Sequence, residues 1–329
     1  QKVFDQLSAL DIESWNALIS GYIQNGCVEK ALECFEQLQL GGFSPNSATF
    51  SSIVKAYGSI GNLNKIQNIH SEIIGKGMLK NDIIVGTALM DMYARCGALV
   101  HAQKLFDDLL IRDVVSWSAL IAGYAQHLHY EEALSCFDTM QQDGILPDAV
   151  TFVCILQSCG SIGAIQKGQN IHSMIIKDEL LDKNPVISNA LLDMYAKCGM
   201  LIEAREMFDD LPRKDVVSWT LFIAGCAQLG QDDIVLNLLK KMIDEGCHPD
   251  STIFSVVLST CSHSGLLGKG QILFEMMSTH FDIIPTLEHY NCMVDLFGRA
   301  GSLGNALTII NDMPIPANGT LWHTLLGAC

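Results

Sequence analysis

The sequence repeats itself every 102 residues. Three sets of evenly spaced residues mark this period: Trp15, Trp117 and Trp219; Pro45, Pro147 and Pro249; and Asp91, Asp193 and Asp295. A period this long is typical of stacked supersecondary units rather than of one closed core. Positions that stay constant are therefore expected to hold the stack together, and positions that vary are candidates for function.

Each period divides into three units of similar design, most visibly residues 12–46, 47–82 and 83–113, which are 35, 36 and 31 residues long. In the first unit, apolar residues recur with the spacing of an amphipathic helix over 15–22 and again over 28–35. Glycines and Pro45 then end the second run, because glycine adopts the left-handed cap and proline cannot continue a helix. Neither helix can bury its apolar stripe alone. The sequence therefore predicts an all-α solenoid of stacked helix-turn-helix units, with the first helices lining its concave face.

Composition limits the partners that such a stack would bind. The chain has 329 residues, is 49% hydrophobic and carries a formal net charge of −16. No apolar run approaches the roughly 18 residues that a membrane helix needs, so the apolar residues are expected to face neighbouring units. The negative charge argues against general binding of polyanions, since nonspecific affinity for nucleic acid comes from many Lys and Arg contacts to phosphate.

Three segments, 13–46, 114–148 and 216–250, resemble standard pentatricopeptide (PPR) repeats; the second reads VVSWSALIAGYAQHLHYEEALSCFDTMQQDGILPD. Segments 151–177 and 189–215 resemble the long and short variants of that repeat. Their alternation is similar to the P-L-S order of the plant PLS class, which implies a right-handed superhelix. The closing segments, 287–314 and LWHTLLGAC, resemble the last short repeat of that class and the start of its E-type extension.

The resemblance implies nine repeats over residues 12–318. The P repeats are 12–46, 114–148 and 216–250; the L repeats are 47–82, 149–184 and 251–286; and the S repeats are 83–113, 185–215 and 287–318. Residues 1–11 would end a partial short repeat, and 319–329 would begin the E-type extension. A tetratricopeptide array has the same hairpin design but a constant period of about 34 residues, which the unequal repeat lengths disfavour.

The PLS class comprises organellar RNA-binding proteins, mostly specificity factors for C-to-U editing. The resemblance therefore implies single-stranded organellar RNA as the partner, a mitochondrial or chloroplast location with the mitochondrion favoured, and no cofactor. A deaminase-bearing PPR protein or other editing factors would act in trans. Two alternatives stay open: an α-solenoid adaptor that binds protein, and a factor for the stabilisation or translation of organellar RNA.

In PPR proteins the fifth and last residues of a repeat flank one base. In the P and S repeats these pairs are Asn16 with Asn46, Thr87 with Asp113, Ser118 with Asp148, Asn189 with Asp215, Thr220 with Asp250, and Asn291 with Asn318. In the L repeats, the weaker readers are Ser51 with Asp82, Val153 with Asn184, and Ser255 with Thr286.

Hydrogen-bonding chemistry assigns a base to each P and S pair. A terminal Asp only accepts, which suits the ring N–H of G or U, whereas a terminal Asn can donate to the ring nitrogen of A or C. A short Ser or Thr at the fifth position leaves room for a purine, and Asn reaches a pyrimidine. The predicted target, from 5′ to 3′, is C-x-G-G-x-U-G-x-C. Helix capping is the alternative role for these polar residues, and the last residue of a repeat can serve both roles.

Two further sets of residues are implied to contact RNA. The second residues Ile84, Val115, Val186 and Val217 resemble the family's base-sandwiching residues, although apolar periodicity alone favours the solenoid core for them. Arg95, Lys197 and Arg299, near the ends of first helices, match family contacts to phosphate; a solvated cation at a helix C-terminus is the alternative. With so few cations, modest affinity and a shallow salt dependence are expected.

The sequence contains no complete set of catalytic residues that we recognise. His70 and Glu72 form an H-x-E, but no C-x-x-C follows to complete the zinc site of a cytidine deaminase. His70 is therefore predicted to be a packing residue, and no metal is expected. The glycines around Gly265 lack the pattern of a phosphate-binding loop. The sequence therefore predicts that this chain is not an enzyme, and any deaminase domain would lie outside it.

Overall fold

The computed structural model describes residues 11–80, 82–178, 180–181 and 184–327. These residues contain a short 3-10 helix, Met78–Lys80, no β-strand, and 19 α-helices: α1 Ile12–Gln24, α2 Val28–Leu40, α3 Ser47–Ile60, α4 Leu63–Gly75, α5 Ile83–Arg95, α6 Leu99–Asp108, α7 Val114–Gln126, α8 Tyr130–Gln142, α9 Ala149–Ile162, α10 Ile165–Lys177, α11 Pro185–Lys197, α12 Leu201–Asp209, α13 Val216–Gln228, α14 Asp232–Asp244, α15 Ser251–His263, α16 Leu267–His280, α17 Leu287–Arg299, α18 Leu303–Asp312 and α19 Gly319–Gly327. The predicted partial repeat, except Asp11, and the last two residues of the predicted extension lie outside the described residues.

The period of the sequence is a period of helices. Each helix from α7 to α18 begins 102 residues after the helix six places earlier. Helices α1 to α18 form nine pairs, each made of a first and a second helix. At the turn within each pair, one residue has a positive φ. Eight of these residues are glycines, such as Gly26 and Gly230, and the ninth is Leu128 with φ of 65°. Because glycine adopts this conformation without steric cost, the recurring glycines explain where each first helix ends.

The chain forms two compact units, residues 1–158 and 159–329. In the first, the first helices α1, α3, α5 and α7 pack on one another in order, and each also packs on its second helix. In the second, α11, α13, α15, α17 and α19 form the corresponding row. The all-α stack of helix pairs predicted from the sequence is confirmed, and α19 occupies the place of a further first helix.

Aromatic contacts in the core recur with the same period. In the first unit, Trp117 packs edge-on against Phe106 with 4.5 Å between ring centroids, and in the second unit Trp219 packs against Phe208 at 4.7 Å. Both tryptophans are buried. The constant positions of the sequence thus form the contact between α6 and α7 and the equivalent contact between α12 and α13.

His70 is a packing residue, as predicted. Its Nδ1 lies 3.1 Å from the hydroxyl of Tyr93, and His172 lies 2.8 Å from the hydroxyl of Tyr195 in the second unit. Burial lowers the pKa of both histidines, so the neutral imidazole is favoured at these joints. Among the described helices, none is both long and apolar enough to cross a membrane.

Candidate nucleic-acid interface

The last residue of a repeat is the N-cap of the next first helix. Asn46 Oδ1 accepts the backbone N–H of Thr49 at 3.1 Å, and Asp148 Oδ1 accepts that of Thr151 at 2.8 Å. Six other last residues accept a backbone N–H in the same way: Asp82, Asp113, Asn184, Asp215, Asp250 and Asn318. The capping role considered for these residues is therefore present, and each cap occupies one side-chain oxygen.

Two fifth residues contact the last residue of their own repeat. The side-chain amide of Asn16 donates to Asn46 Oδ1 at 3.0 Å, and the Ser118 hydroxyl lies 3.1 Å from Asp148 Oδ1. Both fifth residues lie inside a helix rather than at its cap. The structure thus joins the two predicted base-reading residues in the first and second P repeats.

The other fifth residues are partly exposed, with one exception. Thr220 donates to the carbonyl of Val216 at 2.7 Å, and Asn291 Oδ1 accepts the hydroxyl of Thr324 at 2.8 Å. The remaining partly exposed fifth residues are Ser51, Thr87, Val153 and Asn189. Ser255 is the exception, since it is only 7% exposed, and Ser118 is buried to a similar degree at 6%.

A buried histidine holds both predicted readers of the third L repeat. His289 Nε2 lies 3.2 Å from the Ser255 hydroxyl, and its Nδ1 accepts the backbone N–H of Thr286 at 2.9 Å. His289 is fully buried. The sequence does not predict this link, because His289 is three residues beyond the repeat it touches and only the stacking register brings it to Ser255.

An open groove in the first unit gathers several kinds of predicted contact residue. It has a volume of about 590 Å³ and is bordered by α3, α5, α7 and the start of α9. Its lining includes five base-reading candidates, two apolar second residues and one cation: Ser51, Thr87, Asp113, Ser118, Asp148, Ile84, Val115 and Arg95. Lys55 and Gln126 also line the groove. Donors, acceptors and apolar side chains therefore border one groove, in which the cations Lys55 and Arg95 lie among the acids Asp91, Asp113 and Asp148.

The apolar second residues are exposed. The relative exposure is 63% for Ile84, 55% for Val115, 59% for Val186 and 53% for Val217. The interpretation that apolar periodicity favoured, a place in the solenoid core, is wrong for these four side chains. Helical spacing alone missed this because residues on the edge of an apolar stripe share its period without being covered by the next helix.

Each of the three predicted phosphate contacts has an acidic partner one turn earlier. Arg95 Nε lies 3.0 Å from Asp91, Lys197 Nζ 2.6 Å from Asp193, and Arg299 Nε 2.9 Å from Asp295. The three cations keep side-chain exposures of 61%, 36% and 51% in that order. The i, i+4 spacing of an acid before a base is the sequence signal that would have revealed these pairs.

Comparisons with known proteins define the class of this repeat array. The model described as PPR repeat family matches residues 10–59 and 112–161; the PPR repeat model matches 48–78, 87–114, 186–216 and 288–314; and the model of a pentatricopeptide repeat domain matches 204–264. The chain belongs to the pentatricopeptide repeat family.

Relatives in Arabidopsis thaliana match the whole chain. The pentatricopeptide repeat-containing protein At4g33990 is 38% identical over 100% of this chain and 40% of its own length. The mitochondrial protein At2g03880 is 34% identical over 100% of this chain and 51% of its own length. The chain thus spans about half the length of these relatives.

A solved structure has the same fold. PPR10, in complex with an 18-nt psaJ RNA element, superposes with a TM-score of 0.81 at 20% identity, over 97% of this chain and 46% of that one. A second crystal structure, of PPR10 from maize, gives a TM-score of 0.68 at 17% identity, over 97% of this chain and 51% of that one. These likenesses show that the helical repeat fold is shared.

Proposed function

We propose that the chain binds single-stranded RNA and recognises one base with each repeat. The observation that carries this proposal is the groove of the first unit, where the contacting pair Ser118 and Asp148 lies beside the exposed side chains of Ile84 and Val115. Exposed apolar side chains offer a surface for the face of a base, and the polar pair offers hydrogen bonds to its edge. PPR10, which shares the fold, is bound to RNA in its crystal structure.

The capping geometry supports the base assignments. In Asn46, Oδ1 already accepts the N–H of Thr49 and the amide of Asn16, so Nδ2 remains as a donor. In Asp148, Oδ1 accepts both the N–H and the hydroxyl of Thr151, so Oδ2 remains as an acceptor. A remaining donor suits the bare N3 of cytosine, and a remaining acceptor suits the N1–H of guanine.

Extended to all P and S pairs, this chemistry gives the target C-x-G-G-x-U-G-x-C. We propose that such recognition addresses C-to-U editing in an organellar transcript, as the resemblance to the PLS class implies. The chain would recognise the RNA sequence at the editing site, and a deaminase in another domain or another protein would carry out the reaction. A mitochondrial location is favoured over the chloroplast because At2g03880 and a second relative, At3g02330, carry that location in their names.

A gel-shift titration tests base recognition. The wild-type chain should bind the nine-nucleotide target more tightly than an RNA in which the three G positions are A. One wrong base costs ~1–3 kcal/mol, so three changes should weaken binding by at least about a hundredfold. Equal affinity for the two RNAs would contradict the proposal.

A protein-binding adaptor is the second candidate. In the second unit, a mainly apolar groove of about 390 Å³ lies between α14 and α16, lined by residues such as Leu236, Ile243 and Ile272. This groove and the net charge of −16 are compatible with a protein partner. RNA crosslinking in an organelle extract separates the two functions, because an adaptor would give no RNA crosslink above that of a heat-denatured chain.

A further inference from the structure

The third residue of an L repeat touches the base-reading pair of the preceding P repeat. Thr49 is fully buried, and its hydroxyl donates to Asn16 Oδ1 at 2.6 Å. The same hydroxyl accepts the backbone N–H of Asn46 at 3.2 Å. Thr49 therefore connects the fifth residue of the P repeat, the last residue of that repeat, and the first turn of the next helix.

The second P repeat has the same arrangement. Thr151 is fully buried, its hydroxyl lies 2.9 Å from that of Ser118, and it donates to Asp148 Oδ1 at 2.8 Å. The two bridges span the same sequence separation, 33 residues from the fifth residue to the threonine. Their recurrence shows that the register of the stack, rather than a local turn, brings the threonine to the pair.

A bridge of this kind restricts what the pair presents to a base. With Asn16 Oδ1 held by Thr49 and one amide hydrogen held by Asn46, the amide of Asn16 cannot rotate by 180° without losing both hydrogen bonds. Its second N–H then remains as a donor in a fixed direction for a ligand. A β-branched threonine that is fully buried holds its own rotamer, so it fixes the orientation firmly.

The third P repeat provides the contrast within the same chain. Ile253 occupies the corresponding position, and its side chain has no hydrogen-bonding group. The backbone N–H of Ile253 donates to Oδ1 of the N-cap Asp250 at 2.9 Å. The hydroxyl of Thr220 donates to the backbone carbonyl of Val216 in its own helix. The reading pair of this repeat is therefore capped but not bridged.

We propose that Thr49 and Thr151 are positioning residues that sharpen base discrimination by the P repeat before them. The inference rests on the proposed RNA binding and deepens it, since neither threonine belongs to the fifth-and-last pair. It assigns a specificity role to a residue of the following repeat. The first and second P repeats should then discriminate more strictly than the third.

The test measures affinity for four RNAs that differ only at the first base of the target, with uridine at the three open positions. Thr49→Val keeps the shape and removes the hydroxyl; Thr49→Ser keeps the hydroxyl. Thr49→Val should reduce the preference for C over A, G and U by about three- to tenfold, the value of one hydrogen bond. Thr49→Ser should retain the preference. Ile253→Thr should raise the preference for G over A at the seventh base by a similar factor.

The possible results separate this inference from the proposed function. A wild-type chain that binds none of the four RNAs overturns both. A Thr49→Val chain that keeps the full preference for C, or that loses affinity equally for all four bases, overturns the positioning role alone. Thermal unfolding followed by circular dichroism checks that each variant is folded, and Ile253→Thr tests the inference by a gain of preference, which misfolding cannot produce.

Discussion

Asn16 donates a hydrogen bond to Asn46 at 3.0 Å although the two residues are 30 positions apart in the sequence. The contact joins the interior of α1 to the cap of α3, so it exists only when two helix pairs are stacked in register. Because the cap uses the oxygen of Asn46, the residue has one role in folding and keeps its Nδ2 for a ligand. Folding and the proposed base recognition therefore depend on the same side chain.

The acidic partners of the three cations should limit affinity for RNA. Replacing Asp91, Asp193 and Asp295 with Asn would free Arg95, Lys197 and Arg299 for phosphate. RNA affinity should rise, and the slope of log K against log salt should steepen by up to about 2, since one single-strand phosphate contact contributes roughly 0.7. A salt titration by fluorescence anisotropy measures the slope.

The sequence supplies a matched control for that variant. Asp108, Asp210 and Asp312 also recur every 102 residues, and they lie at the ends of the second helices α6, α12 and α18. Changing these three to Asn alters the net charge by the same amount and should leave the salt slope nearly unchanged. If both triple variants steepen the slope equally, general charge rather than a local ion pair governs the affinity.

Leu128 should be replaceable by glycine with a gain in stability. Leu128 has φ of 65° and is 72% exposed, so it bears the cost of a left-handed conformation and buries little apolar surface. After the entropy of glycine in the unfolded chain is subtracted, Leu128→Gly should stabilise by up to ~1 kcal/mol in urea denaturation. The reverse change at the equivalent turn, Gly230→Leu, should destabilise the chain. A stability loss in Leu128→Gly would show that the leucine makes a contact worth more than the strain.

His70 and His172 should make the fold sensitive to acid. Burial lowers the pKa of both in the folded chain, so below the ordinary histidine pKa of about 6.5 the unfolded chain binds more protons. The stability that the two neutral histidines contribute is therefore complete above about pH 6.5, and it is lost as the pH falls through their pKa in the folded chain. In the third period, Phe274 occupies the same position.

Replacing both histidines with Phe should reduce the loss of stability between pH 7 and pH 5, measured by urea denaturation at each pH. The exposed His323 is the control, since His323→Gln should keep the wild-type difference. An unchanged pH dependence in the double variant would assign the acid sensitivity to other groups.

The sequence predicted the helices and their stacking because both depend on short-range signals. The apolar spacing, the glycine turns and the caps Asp113 and Asp215 are all visible within a few residues of each helix. The candidate readers could likewise be listed from the repeat register. The bridge from Thr49 to Asn16 could not be predicted, because it depends on the rotation of one repeat against the next.

Exposure was the second property that periodicity could not provide. Val115 and Leu120 both belong to α7 and to its apolar pattern, yet Val115 is 55% exposed and Leu120 is fully buried. Which edge of a stripe the next helix covers depends on interhelical packing, and that is fixed only in the assembled stack.

If the last residue of each P or S repeat selects the base, the variant Asp148→Asn should change which base the second P repeat prefers. Asn should cap α9 through its oxygen as Asn46 caps α3, so the fold should be retained. Affinities of the wild-type and variant chains are measured for two RNAs with G or A at the fourth base. We expect the wild type to prefer G, the variant to prefer A, and the ratio of the two affinities to change by at least about tenfold. The same preference in both chains, or an equal loss of affinity for both RNAs, would contradict this expectation.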